Sequence, residues 1–186
     1  GRMYTANGVE NGAEFQINSD TYSCEDPSVA GLSGGGFVVT GTSYLQDGSS
    51  YGVYGQQYTA NGVKNGAEFQ VNTYIFWNQF GSCVAGLNDS NVVVTWLSEK
   101  QDGSVYGVYG QMYAADGAKN GAEFRVNTNG NSFQIDNTVS VVGLSNGEFV
   151  ATWFSYEQDG SDSEIYGQMF TASGAKNGAE FQVNTY

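Results

Sequence analysis

The 186-residue chain has no histidine, one proline (Pro27), two cysteines and only six lysines and arginines. Each shortage excludes something. Without imidazole there is no base for a nucleophilic triad and no histidine-bearing zinc site. Six basic residues against 19 acidic ones give a formal charge of −13, which opposes a phosphate backbone or an anionic bilayer, so neither nucleic acid nor a membrane surface is an expected partner. No apolar run approaches the roughly 18 residues that span a bilayer, so membrane insertion is not expected either. The first residues, Gly1-Arg2-Met3-Tyr4, contain no signal-peptide apolar region. Cys24 and Cys83 fall at non-equivalent places and could form at most one bridge between neighbouring units.

What the chain does have is repetition. Gly12-Ala13-Glu14-Phe15 returns as Gly66-Ala67-Glu68-Phe69, Gly121-Ala122-Glu123-Phe124 and Gly178-Ala179-Glu180-Phe181. Gln-Asp-Gly-Ser occurs three times, at residues 46–49, 101–104 and 158–161, so the period is 102 − 47 = 55 and then 159 − 102 = 57 residues. Abundant glycine, with Asn, Ser and Thr, suits short strands and tight turns. Within one period, Ser82–Leu87 and Val92–Trp96 form a hairpin whose second strand is apolar on both faces, as a strand buried between layers must be. Val105–Tyr113 makes a third strand, with Tyr106, Val108 and Met112 on one face and Tyr109, Gln111 and Tyr113 on the other. Ala122–Asn127 makes a fourth, reached through Asp116-Gly117 and Asn120-Gly121.

The expected architecture is therefore all-β: tandem four-stranded antiparallel units resembling propeller blades, with a β-trefoil as the alternative. Residues 22–73, 74–128 and 129–186 read as full units, and 1–21 as the outer two strands of an incomplete one. Because Gly1-Arg2-Met3-Tyr4 aligns with Gly55-Gln56-Gln57-Tyr58, the chain reads as a piece of something longer.

The Asp-Gly-Ser turns place Asp47, Asp102 and Asp159 at one repeat position. A single carboxylate per turn favours a turn-building role over calcium, which needs six to eight oxygens. If calcium binds, it belongs in the richer run around Asp159, Asp162 and Glu164. Glu14, Glu68, Glu123 and Glu180 repeat identically, whereas acid–base catalysis requires carboxylates in unlike settings, so they read as structural. The only arginines are Arg2 and Arg125, so the clustered arginines a sialidase would bring to a carboxylate sugar are missing. For ligand contact the aromatic residues remain: Trp77 in the connecting run Tyr74–Phe80, Trp96 and Trp153 at a shared strand position that is Gly41 in the first unit, and Tyr109. Rings at such strand positions more often pack between blades. Asn88-Asp89-Ser90 is a glycosylation sequon in an expected turn.

Gly36-Phe37-Val38-Val39-Thr40 and Glu148–Trp153, followed by Gln-Asp-Gly-Ser, Tyr-Gly-x-Tyr-Gly-Gln and Gly-Ala-Glu-Phe-Gln-Val-Asn-Thr, resemble tandem repeats of large secreted or surface proteins. Bacterial adhesin-like and hemolysin-type proteins and ciliate surface proteins carry such repeats. The resemblance covers nearly the whole chain and implies an extracellular or cell-surface setting, with calcium dependence through the company such repeats keep. The resulting expectation is a non-catalytic module, structural or adhesive through protein or glycan surfaces, that self-associates through terminal strands. The alternative is a lectin with one shallow sugar site per repeat. No enzyme is expected.

Overall fold

A computed structural model describes residues 1–19, 23–128, 139–156, 158, 160 and 163–184. Among these residues twelve strands form three four-stranded antiparallel sheets, each ordered as a simple meander. The first contains β1 (Cys24–Gly31), β2 (Phe37–Tyr44), β3 (Tyr51–Tyr58) and β4 (Lys64–Gln70). The second contains β5 (Gln79–Gly86), β6 (Val92–Glu99), β7 (Tyr106–Tyr113) and β8 (Lys119–Arg125). The third contains β9 (Val139–Gly143), β10 (Phe149–Tyr156), β11 (Ser163–Phe170) and β12 (Lys176–Gln182). Every unit closes its own sheet, so these are propeller-like blades and not the lobes of a trefoil. Ahead of them, residues 1–19 make a hairpin-like turn held by the Tyr4–Glu10 bridge, by backbone hydrogen bonds of Asn11 to Met3 and of Phe15 to Gly1, and by the Arg2–Glu10 ion pair.

The blades meet along β1, β5 and β9. A Cβ on Gly86 would run into the carbonyl of Gly31, and one on Gly143 into the carbonyl of Gly86, so glycine is what lets these inner backbones touch. Further out, the two-faced middle strand explains the core. Val92, Val94 and Trp96 of β6 pack toward the first sheet, while Val93 and Leu97 pack toward the third.

Gly-Ala-Glu-Phe closes each blade. Its phenylalanine lies over a glycine of the preceding strand: a Cβ on Gly55, Gly110 or Gly167 would sit 2.7 Å from the ring of Phe69, Phe124 or Phe181. The same rings reach into the next blade. Phe15 meets Tyr58 at 5.5 Å, Phe69 meets Tyr113 at 5.1 Å, and Phe124 meets Phe170 at 5.4 Å between centroids.

The glutamate of the motif makes the matching polar contact. Glu123 accepts the Thr73 backbone N–H and hydroxyl, both at 2.8 Å, from the preceding unit, and the Gln101 amide from its own. Glu68 does the same with Ser19 and Gln46, and Glu180 with Thr128 and Gln158. Glutamate is thus a clasp between consecutive units.

The Gln-Asp-Gly-Ser turns are built locally. Asp47 and Asp102 accept the backbone N–H of Ser49 and Ser104 at 2.9 and 3.0 Å, and Gly48 and Gly103 take φ of +85° and +86°. Each aspartate also ties down its outer strand, through Gln70 at 2.8 Å and the Arg125 guanidinium at 2.7 Å.

Cys24 and Cys83 form no disulfide: the Cys24 thiol donates to the Ser43 hydroxyl at 3.6 Å, and Cys83 accepts from the Ser28 hydroxyl at 3.9 Å. The sequon lies in the short 3-10 turn Asn88–Ser90, as expected, and its end residues contact neighbouring units: Asn88 donates to the Ser145 carbonyl at 3.1 Å, and the Ser90 hydroxyl accepts from the Gly34 N–H at 2.8 Å.

Replacing the clasp, Glu123→Ala, leaves the Thr73 and Gln101 donors without their acceptor. It should cost about 1–3 kcal/mol in urea unfolding, while Glu14→Ala, whose carboxylate holds no such threonine, should cost less. Burial raises the tyrosines Tyr58, Tyr106 and Tyr113, and Tyr109 to about 12 from an ordinary value of 10.0. A raised folded value favours the neutral phenol, so this stability is complete below about pH 10 and is lost as the pH climbs through the folded values. Phenolate absorbance should therefore appear in two phases, exposed rings first and the remainder together with unfolding.

Candidate functional site

Three near-identical blades offer few places for a singular site, so departures from the repeat locate it. Among the positions at which the first blade differs from the second are four that stand together: Cys24 for Gln79, Glu25 for Phe80, Gly41 for Trp96 and Thr42 for Leu97. All four border one cavity of about 570 Å³, between the first sheet and the leading hairpin. Its origin is physical. In the second and third blades Trp96 and Trp153 pair across strands with Tyr109 and Tyr166 and fill the space against the preceding unit. In the first, Tyr54 still stands opposite on β3, but its partner is Gly41, and the volume of an indole is left open.

The walls combine the two kinds of surface a sugar needs. Phe15, Ile17 and Val39 are apolar, while Asn18, Gln46 and Ser43 carry hydrogen-bonding groups. Three carboxylates line it, in unlike settings. Glu14 lies 3.5 Å from the Arg2 guanidinium and is largely exposed. Glu68 is the clasp, held by Ser19 and Gln46. Glu25 is on β1, beside a bulge in the β1–β2 ladder at which Asp26 takes φ of +52°. Glu25 has no counterpart elsewhere in the repeat, whereas Glu14 and Glu68 belong to the repeated motif.

The expected ligand residues scatter. Trp96, Trp153 and Tyr109 are buried between sheets, so as ligand contacts they are corrected to packing residues. Trp77 is 52% exposed and Phe76 65%, on the link between the first and second sheets. That link is held by amides: Asn72 donates to the Tyr74 carbonyl at 2.9 Å, and Gln79 to that of Phe76 at 2.8 Å. Lys100 lies over the Trp77 ring at 3.7 Å. Of the expected calcium ligands, Asp159 and Asp162 lie outside the described residues. Glu164 is buried on β11 opposite Ser155, where the other blades have Gly52 and Gly107. No group of three or more His, Cys, Asp or Glu side chains is gathered among the described residues.

The cavity was legible as a substitution and overlooked as a space. Glycine for tryptophan at Gly41 marked it, but only the pairing with Tyr54 shows that a hole results.

No protein-family model matches the sequence, and a search of curated proteins finds no match. Solved structures do match. An endo-arabinase from Bacteroides thetaiotaomicron VPI-5482 superposes with a TM-score of 0.59 at 16% identity, over 95% of this chain and 68% of its own. An endo-1,4-beta-xylanase from the same organism gives 0.54 at 13%, over 95% and 66%. The α-L-arabinofuranosidase of Fusarium graminearum, in complex with arabinobiose, gives 0.57 at 11%, over 91% and 52%. The chain thus spans about half to two thirds of their length. At these identities the likeness is one of fold, and the fold is that of carbohydrate-active propeller enzymes. It overturns the expectation of a non-catalytic structural or adhesive module, with or without a lectin site in every repeat, and with it the expectation that no enzyme is at hand. No helix among the described residues is long and apolar enough to cross a membrane.

Proposed function

We propose that the chain is the glycan-engaging part of a glycoside-hydrolase-like propeller, taking a sugar ring into the cavity over Tyr54 and working outside the cell. One observation carries this reading: the repeat is broken at Gly41, and what the break creates is a cavity of about 570 Å³, inside the roughly 300–1,000 Å³ range of small-molecule sites. Tyr54 and Phe15 offer faces for the apolar side of a sugar, and the surrounding amides and carboxylates suit its hydroxyls.

Glycoside cleavage needs one carboxyl group that protonates the departing oxygen and another that acts as base or nucleophile. Glu25 is the residue proposed for proton donation, because it is particular to this blade and is not engaged as a clasp. Glu14, 3.5 Å from the Arg2 guanidinium, is proposed for the opposite role. Arabinobiose and xylo-oligosaccharides are the first substrates to try, because the neighbours' activities name arabinan and xylan chemistry.

Gly41→Trp refills the cavity with the side chain that the other blades already hold there. It should fold with a melting temperature within about 5 °C of the parent and lose oligosaccharide binding by calorimetry. Unchanged binding in a folded Gly41→Trp would overturn the site. Glu25→Gln should keep binding and reduce turnover by about a hundredfold or more; equal turnover would remove Glu25 from the chemistry.

A further inference from the structure

We infer that the link between the first two blades carries a second glycan contact: an exposed aromatic track, led by Trp77, that takes a neutral polysaccharide chain. The link joins two complete four-stranded sheets, away from both ends of the sequence. On it Ile75, Phe76 and Trp77 are 41%, 65% and 52% exposed. Three large apolar side chains in a row would turn inward if their backbone were free to, and it is not. Asn72, 3% exposed, donates to the Tyr74 carbonyl at 2.9 Å, and the fully buried Gln79 donates to the Phe76 carbonyl at 2.8 Å. Asn78 accepts from the Ser50 hydroxyl of the first blade at 2.5 Å and donates to Glu99 of the second at 2.7 Å. Both sheets therefore hold the link in place.

The backbone is strained where it presents these side chains. Trp77 holds φ at +62°, in the left-handed region that a bulky residue seldom adopts. Leu45, 41% exposed on the turn after β2, holds the same +62°. Beside it Tyr44 is 39% exposed, with its ring 5.0 Å from that of Tyr51, and the bond from Ser50 to Asn78 joins this turn to the link. Two neighbouring segments thus show apolar side chains at one end of their sheets. Over Trp77 the Lys100 ammonium lies 3.7 Å from the ring centroid and 3.7 Å from the Glu99 carboxylate, so one face of the indole is covered and the other is open.

Size and charge select the occupant. A net charge of −13 turns away a polyanion. A protein partner needs roughly 800 Å² on each side, far more than these few side chains offer, whereas a sugar ring lays one apolar face on one flat ring and turns its hydroxyls to amide and carboxylate groups such as Asn78 and Glu99. Rings already held in place lose little freedom on binding. A single stacked ring holds a sugar only weakly, so the track registers a long chain that meets several of its side chains and not a disaccharide.

Native electrophoresis through gels containing soluble arabinoxylan, galactomannan or mixed-linkage glucan, with polygalacturonate as the anionic comparison, reads this directly. Retardation in at least one neutral gel and none in polygalacturonate is expected. Trp77→Gly frees the strained backbone, so it should melt within about 3 °C of the parent and weaken the retardation about fivefold. Phe76→Ala should act in the same direction, and Val63→Ala, at a residue 62% exposed elsewhere, should change nothing. Because Trp96 and Trp153 are only 0% and 1% exposed, acrylamide quenching of tryptophan fluorescence reports Trp77, and the retarding polysaccharide should protect it. The cavity is separated by Gly41→Trp, which should keep the retardation even where it loses short oligosaccharides. A parent chain that runs alike in every gel, or retardation lost in Gly41→Trp and kept in Trp77→Gly, would overturn the inference. So would self-association of the parent that Trp77→Gly abolishes, which would make the ring a protein contact.

Discussion

The whole arrangement depends on a phenylalanine ring packed against a bare glycine. Phe69 on Gly55, Phe124 on Gly110 and Phe181 on Gly167 bring β4, β8 and β12 against their neighbours more closely than any Cβ would allow. That proximity lets the first two of these rings, and Phe15 with them, reach past their own sheet into the next. One side chain therefore seals a blade and docks it. The glutamate beside it adds the polar half of the joint, accepting from the backbone and hydroxyl of the preceding link. Burial supplies the energy and the clasp supplies the register, since a carboxylate that must meet a particular N–H tolerates little sliding.

Such a joint repeats only if its surroundings do, and in the first blade they change. A tryptophan filling the space between blades is worth several kcal/mol of packing, so its replacement by Gly41 removes a structural element that the other blades retain. Phe15 and Ile17 of the leading hairpin line the position from the other side.

Much of the fold was legible from spacing. Val92–Trp96 reads as apolar on both faces because it is sandwiched, and β6 indeed divides its side chains between two cores. Asp-Gly-Ser reads as a turn because its chemistry is local, and Asp47 and Asp102 act locally. What escaped was non-local. The repetition of Glu123 argued against catalysis, but the sequence held no hint that Thr73, fifty residues earlier, was its partner. Trp96 and Trp153 attracted attention as rings, although the informative position was the one without a ring. Glu25 passed unnoticed because it lies outside both repeated motifs, and the likeness in fold to the solved enzymes lies in a backbone arrangement shared at only 9–16% identity.

The central claim is that function resides where the repeat is broken. Titrating arabinobiose or a xylo-oligosaccharide into the isotope-labelled protein and following backbone amide shifts locates the contact without any mutation. Perturbations confined to residues 15–18, 24–25, 39–43 and 54–56 are the predicted result. Shifts of equal size at equivalent positions of all three blades, or shifts centred on Phe76 and Trp77, would contradict it.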